Sequence, residues 1–255
     1  MKAVATVEKG VISIAEVPIP HYGDYECLVR IRACGICNST DMKLITNTMG
    51  DYPVQYPALL GHEAVGEIVK LGAKVKNFKV GDRVVTPRGR LEPGTNYHSS
   101  WTAMAEYGIA HDLKAIMDDG LPFPDDVEAR TLEDYPVAPI PEGMSYEDAV
   151  ILLTIKENYS ALKNFGMAQG KDIFIFGDGP VALGLSCLAR GMGAGILAVA
   201  GHHDERLSTI ESLAHPDMAV NTHKTTAQEA AAGRKFDIVI DAVGSVAIVR
   251  EGAKI

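Results

Sequence analysis

Between Lys171 and Gly201 the chain reads KDIFIFGDGPVALGLSCLARGMGAGILAVAG. An apolar run leads into a glycine turn, then a helical stretch, then a second apolar run. Ile173–Phe176 and 196–200 are apolar at every position, as strands buried on both faces must be, and such strands belong to parallel sheets. A later run, FDIVIDAVG, repeats the pattern. From Lys171 onward the chain is therefore expected to be a doubly wound α/β unit. Its turn has the form G-x-G-x-x-A, with Gly177, Gly179 and Ala182. Gly177 permits the tight turn, Gly179 lets backbone approach a pyrophosphate, and a small Ala182 lets the helix pack on the strand. The helix opens at Pro180 and Val181, and its unpaired amides and dipole suit a phosphate. A bare G-x-G also fits a purely structural turn; placement between strand and helix favours a dinucleotide seat.

The end of the second strand sets cofactor choice, because an acid there normally binds the ribose hydroxyls. Here LAVAGHHDERL places Gly201 directly after the strand. A glycine leaves room for a 2′-phosphate, to which His202, His203 and Arg206 can donate, so NADP is favoured. NAD stays open if the turn is one residue longer and Asp204 or Glu205 serves.

The first half reads differently. Up to about Tyr107, short β-rich runs (CLVRIRAC, AVGEIVKLG, GDRVVTP, MAEYGIA) alternate with turn signals, which predicts an all-β, barrel-like unit. Residues 111–141 then carry an acidic insert, with eight acids from Asp112 to Asp134 against Lys114 and Arg130, broken by Pro122, Pro124 and Pro136. It reads as a solvated loop, with a lid or subunit contact as the sharper alternative. SYEDAVILLTIKENYSALKNFG begins with a serine cap and continues with helical periodicity, as one helix between the two halves.

The segment LLGHEAVGEIVKLG sets His62 beside Glu63 in an otherwise buried strand. A hydrogen-bonded core pair is the plain reading. Cys37, in RACGICNSTD, adds a thiol from a separate segment, as a mixed Cys/His catalytic zinc site would. Cys34 and Cys37 form one C-x-x-C pair with no second pair downstream, which excludes a four-cysteine structural cluster.

With these motifs in this order, the chain resembles the medium-chain dehydrogenase/reductase family, the zinc-containing alcohol and polyol dehydrogenases. GHEAVGEIVKLG fits that family's zinc signature across Gly61, His62, Glu63, Gly66 and Gly72, and GICNSTD, VGDRV, MAEYGIA, the glycine turn and FDIVIDAVG follow. The resemblance implies a GroES-like β-barrel catalytic domain over residues 1–145 and a Rossmann domain over 146–255. It implies one catalytic zinc per chain on Cys37 and His62, with Glu63 near or on the metal. Ser39 matches the hydroxyl that relays the substrate proton, with Thr40 as rival because Asp41 stands four residues after Cys37 rather than the family's three. The family's remaining ligand falls near Leu153 or Thr154, which bind zinc poorly, and Glu157 is a turn away. Tyr97, His98 and Trp101 stand where pocket residues or a loop would lie. The activity implied is hydride transfer between an alcohol or polyol and NADP or NAD; a zinc-free reductase and a nucleotide-binding protein without catalysis are the alternatives.

Composition narrows the partners. A formal charge of -9 disfavours a phosphate-backbone binder, so nucleic acid is not expected. No run reaches the roughly 18 apolar residues of a membrane span, and Lys2, Glu8, Lys9 and Glu16 interrupt the N-terminal stretch, so a cytoplasmic protein is expected. A small alcohol or carbonyl substrate and a homo-oligomer, dimer or tetramer, complete the expectation. Four strands are readable where a dinucleotide domain normally has six, so an incomplete Rossmann sheet with an open edge is expected.

Overall fold

The computed structural model describes residues 1–50, 53–85, 87–99, 102–124 and 137–255. The chain divides into two compact units, Met1–Leu153 and Thr154–Ile255. Among the described residues, no helix is long and apolar enough to cross a membrane.

The first unit holds two four-stranded sheets among its described residues. One sheet begins with a hairpin, β1 (Lys2–Glu8) and β2 (Val11–Glu16), which turns at Gly10. It continues through β4 (Ala58–Leu59) to β7 (His98–Ser99) in the order β2-β1-β4-β7. The other sheet runs β6 (Arg83–Val85), β5 (Glu63–Leu71), β3 (Glu26–Gly35), β8 (Tyr107–His111), antiparallel throughout. Two-residue periodicity points alternate side chains inward. Ala3, Ala5, Ala15, Val17 and Leu59 fill one core, and Cys27, Val29, Ile68, Val84 and Ala110 fill another. Residues 103–106 stitch the sheets together: Met104 bonds to Val4 and Leu60, and the Glu106 carbonyl accepts from the Ile31 amide.

Glu26 closes one end of β3. Its carboxylate accepts from the Gly23 amide (2.6 Å), from both terminal nitrogens of Arg90 (2.8 and 2.6 Å) and faces His111 Nε2 at 2.9 Å. Burial alone would raise this carboxyl, but hydrogen bonds from His111, Arg90 and Gly23 outweigh it and hold it well below the usual range.

The acidic stretch after β8 is ordered at its start rather than solvated. Asp112 is 1% exposed and caps α2 (Leu113–Asp118) by accepting from the Ala115 amide, while also accepting from the amides of Lys76 and Asn77. Four donors converge on that one carboxylate, counting Asn77 Nδ2, so its charge is satisfied inside the protein. Leu113 and Ile116 are buried beside Tyr25 and Phe123. Residues 125–136 of the insert lie outside the described residues.

The serine cap is where the sequence places it: Ser145 Oγ accepts from the Asp148 amide. The expected single helix is interrupted, however, into α3 (Tyr146–Ala149) and α4 (Leu152–Asn164). Between them the Ile151 amide reaches only the Asp148 carbonyl, a three-residue turn at the β-branched pair Val150–Ile151.

The second unit contains a parallel sheet in the order β11-β10-β9-β12, made of β9 (Ile173–Phe176), β10 (Leu197–Gly201), β11 (Met218–Asn221) and β12 (Ile238–Asp241). Helices α5 (Pro180–Gly191), α6 (Asp204–Ala214), α7 (Ala227–Ala231) and α8 (Val246–Gly252) connect or follow these strands. Residues of β9 and β10 are buried on both faces, in two separate cores. That is what their uninterrupted apolar runs demand.

Replacing Glu26 with alanine removes the buried carboxylate that Arg90 and His111 face and is expected to cost about 3 kcal/mol in urea unfolding at neutral pH. Because the folded carboxyl is depressed, its contribution is present above the ordinary value of 4.5 and fades as pH falls below it. The gap between native protein and Glu26→Ala should therefore narrow on acidification.

Candidate functional site

β3 and β5 pair so that Gly35 lies opposite Glu63. Two residues beyond Gly35 comes Cys37, and one residue before Glu63 comes His62, so the register brings together two distant segments. The sulfur of Cys37, a ring nitrogen of His62 and a carboxylate oxygen of Glu63 all lie within 4.8 Å of one another, and each residue is half-buried. Among the described residues this is the one group of three such ligands. Close approach shapes the site: a Cβ on Gly35 would come within 2.7 Å of both Glu63 Oε2 and Val150 Cγ1.

Asp41, only 1% exposed, organises the loop. Its amide donates to the Cys37 carbonyl, closing one helical turn, and its Oδ2 accepts from the Cys37 amide at 2.8 Å. The extra residue between Cys37 and Asp41 is thus absorbed as a turn that returns the carboxylate to the cysteine. Oδ1 of Asp41 faces His62 Nδ1 at 3.5 Å, while His62 Nε2 lies 3.7 Å from Glu63 Oε1. With Asp41 facing it, and the charges of Cys37 and Glu63 adding to this against the opposing effect of burial, the imidazole is pushed up to about 9. Sequence reasoning treated Asp41 only as a spacing marker; an acid one turn past a candidate cysteine was the available signal.

The neighbouring candidates separate cleanly. Ser39 is exposed and makes no capping bond at the head of α1 (Thr40–Thr46). Thr40 is half-buried and its amide donates to Cys37 Sγ at 3.3 Å. Only one thiol of the C-x-x-C pair joins the cluster; burial, reinforced by Asp41, pushes the Cys34 thiol up to about 12. Glu157 is exposed on α4 and Leu153 and Thr154 carry no ligand atom of this kind. Tyr97 packs on the core of Ala3, Ala5 and Leu59, and His98 pairs with Ala58 in β7; Trp101 lies outside the described residues.

In the second unit, the strand order reverses between β9 and β12, the switch point outside which ligands bind in open α/β sheets. The glycine turn stands there. Gly177 has φ +128°, a backbone conformation that a side chain would strain, and a Cβ on it would meet Ala242 at 3.3 Å and Val243 at 3.4 Å. Gly179 caps α5 with nothing within 4 Å of where a Cβ would stand, so protein packing does not account for it. Pro180 occupies the first turn, Val181 is 44% exposed and Ala182 is buried against the sheet.

At the end of β10, His202 Nδ1 lies 2.7 Å from Thr222 Oγ1 and its ring stacks near His223. Asp178, the middle residue of the turn, reaches across to this loop. Its Oδ2 accepts from the amides of His202 (2.7 Å) and His203 (2.8 Å) and lies 2.9 Å from His203 Nδ1, while Arg206 stands 3.7 Å from Oδ1. Sequence reasoning passed over Asp178; its signal was a carboxylate inside a glycine turn with a glycine at the end of the next strand.

Residues 23–116 match the alcohol dehydrogenase GroES-like domain. The chain is 33% identical over 218 residues to a sorbitol dehydrogenase of Bacillus subtilis (strain 168), across 84% of this chain and 59% of that protein. It is 28% identical over 277 residues to an alcohol dehydrogenase of Cupriavidus necator, covering 100% of this chain and 73% of that one. Galactitol-1-phosphate dehydrogenase from Escherichia coli shares the fold, with a TM-score of 0.75 at 22% identity over 100% of this chain and 72% of that one. The first unit thus carries a GroES-like domain and the second a short Rossmann-type sheet, and the chain is similar to medium-chain dehydrogenases. It spans 59% of the length of its Bacillus relative.

Because Gly35 has no space for a methyl group, Gly35→Ala is expected to lower stability by about 1–3 kcal/mol through overpacking. Thermal unfolding checks this, with Gly10→Ala in the open hairpin turn as a comparison that strains backbone without a clash.

Proposed function

We propose that the chain is the catalytic and nucleotide-binding part of a zinc-dependent oxidoreductase that moves a hydride between an alcohol or polyol and a nicotinamide dinucleotide. The single observation that carries the reading is the cluster of Cys37, His62 and Glu63 within 4.8 Å. A thiolate, an imidazole and a carboxylate from half-buried positions form a donor set that suits zinc, and three protein ligands leave a position for substrate. The named relatives, sorbitol and alcohol dehydrogenases, support the substrate class.

Cys37 Sγ, His62 Nε2 and Glu63 would hold the ion, with no call on Leu153, Thr154 or Glu157. A zinc ion held there supplies Lewis acidity that favours loss of a proton from a hydroxyl group. Asp41 would fix the imidazole by taking its Nδ1 side, so that Nε2 is the nitrogen that would ligate. The Thr40 amide steadies the cysteine sulfur. Of the two candidate relays we assign the substrate proton to the half-buried Thr40 hydroxyl, with exposed Ser39 as the route onward to water. In the second unit, the bare backbone of Gly179 and the first-turn amides of α5 would receive the pyrophosphate.

Metal analysis of the purified protein is expected to find one zinc per chain, lost in Cys37→Ser. Asp41→Asn should weaken zinc binding by about 10- to 100-fold while the fold persists by circular dichroism. Reduction of dinucleotide, followed at 340 nm over a panel of polyols and secondary alcohols, should stop on chelation. Turnover in a zinc-free protein would establish the zinc-free reductase instead, and dinucleotide binding without turnover a non-catalytic protein. Thr40→Val should lower turnover far more than Ser39→Ala.

A further inference from the structure

Gly201 stands where a dinucleotide fold commonly carries an acid for the ribose, and its bareness reads from sequence as room for a 2′-phosphate. The structure fills that room from the other side. A Cβ on Gly201 would come within 2.5 Å of Asp178 Cβ and 2.6 Å of its Oδ2. An acid at 201 and the aspartate at 178 are therefore mutually exclusive ways of placing a carboxylate in the same space. In this chain the glycine turn carries it.

The donors that a 2′-phosphate would use are already engaged. The amides of His202 and His203, at the head of α6, donate to Asp178 Oδ2, and the His203 ring lies against the same oxygen. Arg206 faces Oδ1. Lys224, the other nearby cation, is held by both oxygens of Asp204 at 2.9 Å. Asp204 and Glu205 add negative charge in the first turn of α6. A phosphate dianion entering here would have to displace one carboxylate from its amides and sit beside two more acids. Although burial alone would raise the Asp178 carboxyl, hydrogen bonds from the His203 amide, its ring and the His202 amide outweigh this and hold it below its ordinary value. Oδ1, which faces Arg206 at 3.7 Å, keeps acceptor capacity for hydroxyl groups.

We propose that Asp178 receives the adenosine ribose hydroxyls and makes this a site for NAD(H) in preference to NADP(H). The proposal rests on the dinucleotide reading of the Gly177 turn. It makes Asp178 a specificity residue that contacts cofactor, and it turns His203 and Arg206 from phosphate ligands into partners that orient the carboxylate.

Calorimetric titration of the native protein with NADH and with NADPH tests it, independently of turnover. NADH is expected to bind at least about tenfold tighter, since hydrogen bonds to a charged group are worth roughly that much or more. Asp178→Ala should weaken NADH by about 10- to 100-fold and abolish the preference. Asp178→Gly/Gly201→Asp, which moves the carboxylate across while removing the colliding Cβ, should restore it. NADPH binding as tightly as NADH to the native protein overturns the proposal, as does a preference that survives in Asp178→Ala. Should that variant fail to fold, loss of the preference in the double variant overturns it as well. A folded native protein that binds neither nucleotide refutes the dinucleotide reading itself.

Discussion

The pairing of β3 with β5 is the constraint on which the candidate metal centre depends. Antiparallel register is discrete, and once Gly35 sits opposite Glu63 the loop after β3 and the start of β5 have only one relative placement. Cys37 and the His62–Glu63 pair are carried to their positions by backbone hydrogen bonds made several residues away. The three ligands thus need no contribution from the second unit to come within reach of one another. Asp41 completes the arrangement from inside the same loop, tying the cysteine backbone and the imidazole to one buried carboxylate.

The second unit solves a different electrostatic problem. A switch point in a parallel sheet gathers amides and helix N-termini, a surface that attracts anions of any kind. Asp178 answers part of that field with a charge belonging to the chain itself, so the outer part of the crevice is already neutralised while the inner part, at Gly179, is left bare. On the proposed reading, that difference between inner and outer halves is what would let one turn accept a pyrophosphate and still discriminate at the far end of a ligand.

Elements with a strong local signature were legible in the chain. The runs around Ile173–Phe176 and Leu197–Gly201 could hardly be anything but buried parallel strands, and GHEAVGEIVKLG announces both a strand and its polar head. The Ser145 cap was legible for the same reason, a side chain bonding its own neighbourhood. What escaped reading depends on contacts between segments. Asp112 looks like one more acid in an acidic loop until the amides of Lys76 and Asn77 are seen to converge on it. Asp178 looks like a filler residue until the end of β10 is folded against it. The break after Ala149, where the Ile151 amide turns back to the Asp148 carbonyl, is something helical periodicity does not register.

The ladder between β3 and β5 is not uniform: its register shifts between Leu28 and Val29 and again between Ile31 and Ala33, where Arg32 is left out of the pairing. Only the stretch from Val29 to Ile31 keeps a different phase, because the second shift undoes the first. The bulge therefore takes up an extra residue without moving the Gly35–Glu63 pair. Loss of Arg32 would let Ala33 follow Ile31 in regular pairing and keep Gly35 opposite Glu63, whereas loss of a residue between Gly35 and Cys37 would draw the thiol back by about 3.3 Å, one extended residue's rise. Substitutions along this edge are a matter of degree, whereas an insertion or deletion past Gly35 is a matter of frame, and a lineage can drift in the first way far more freely than in the second.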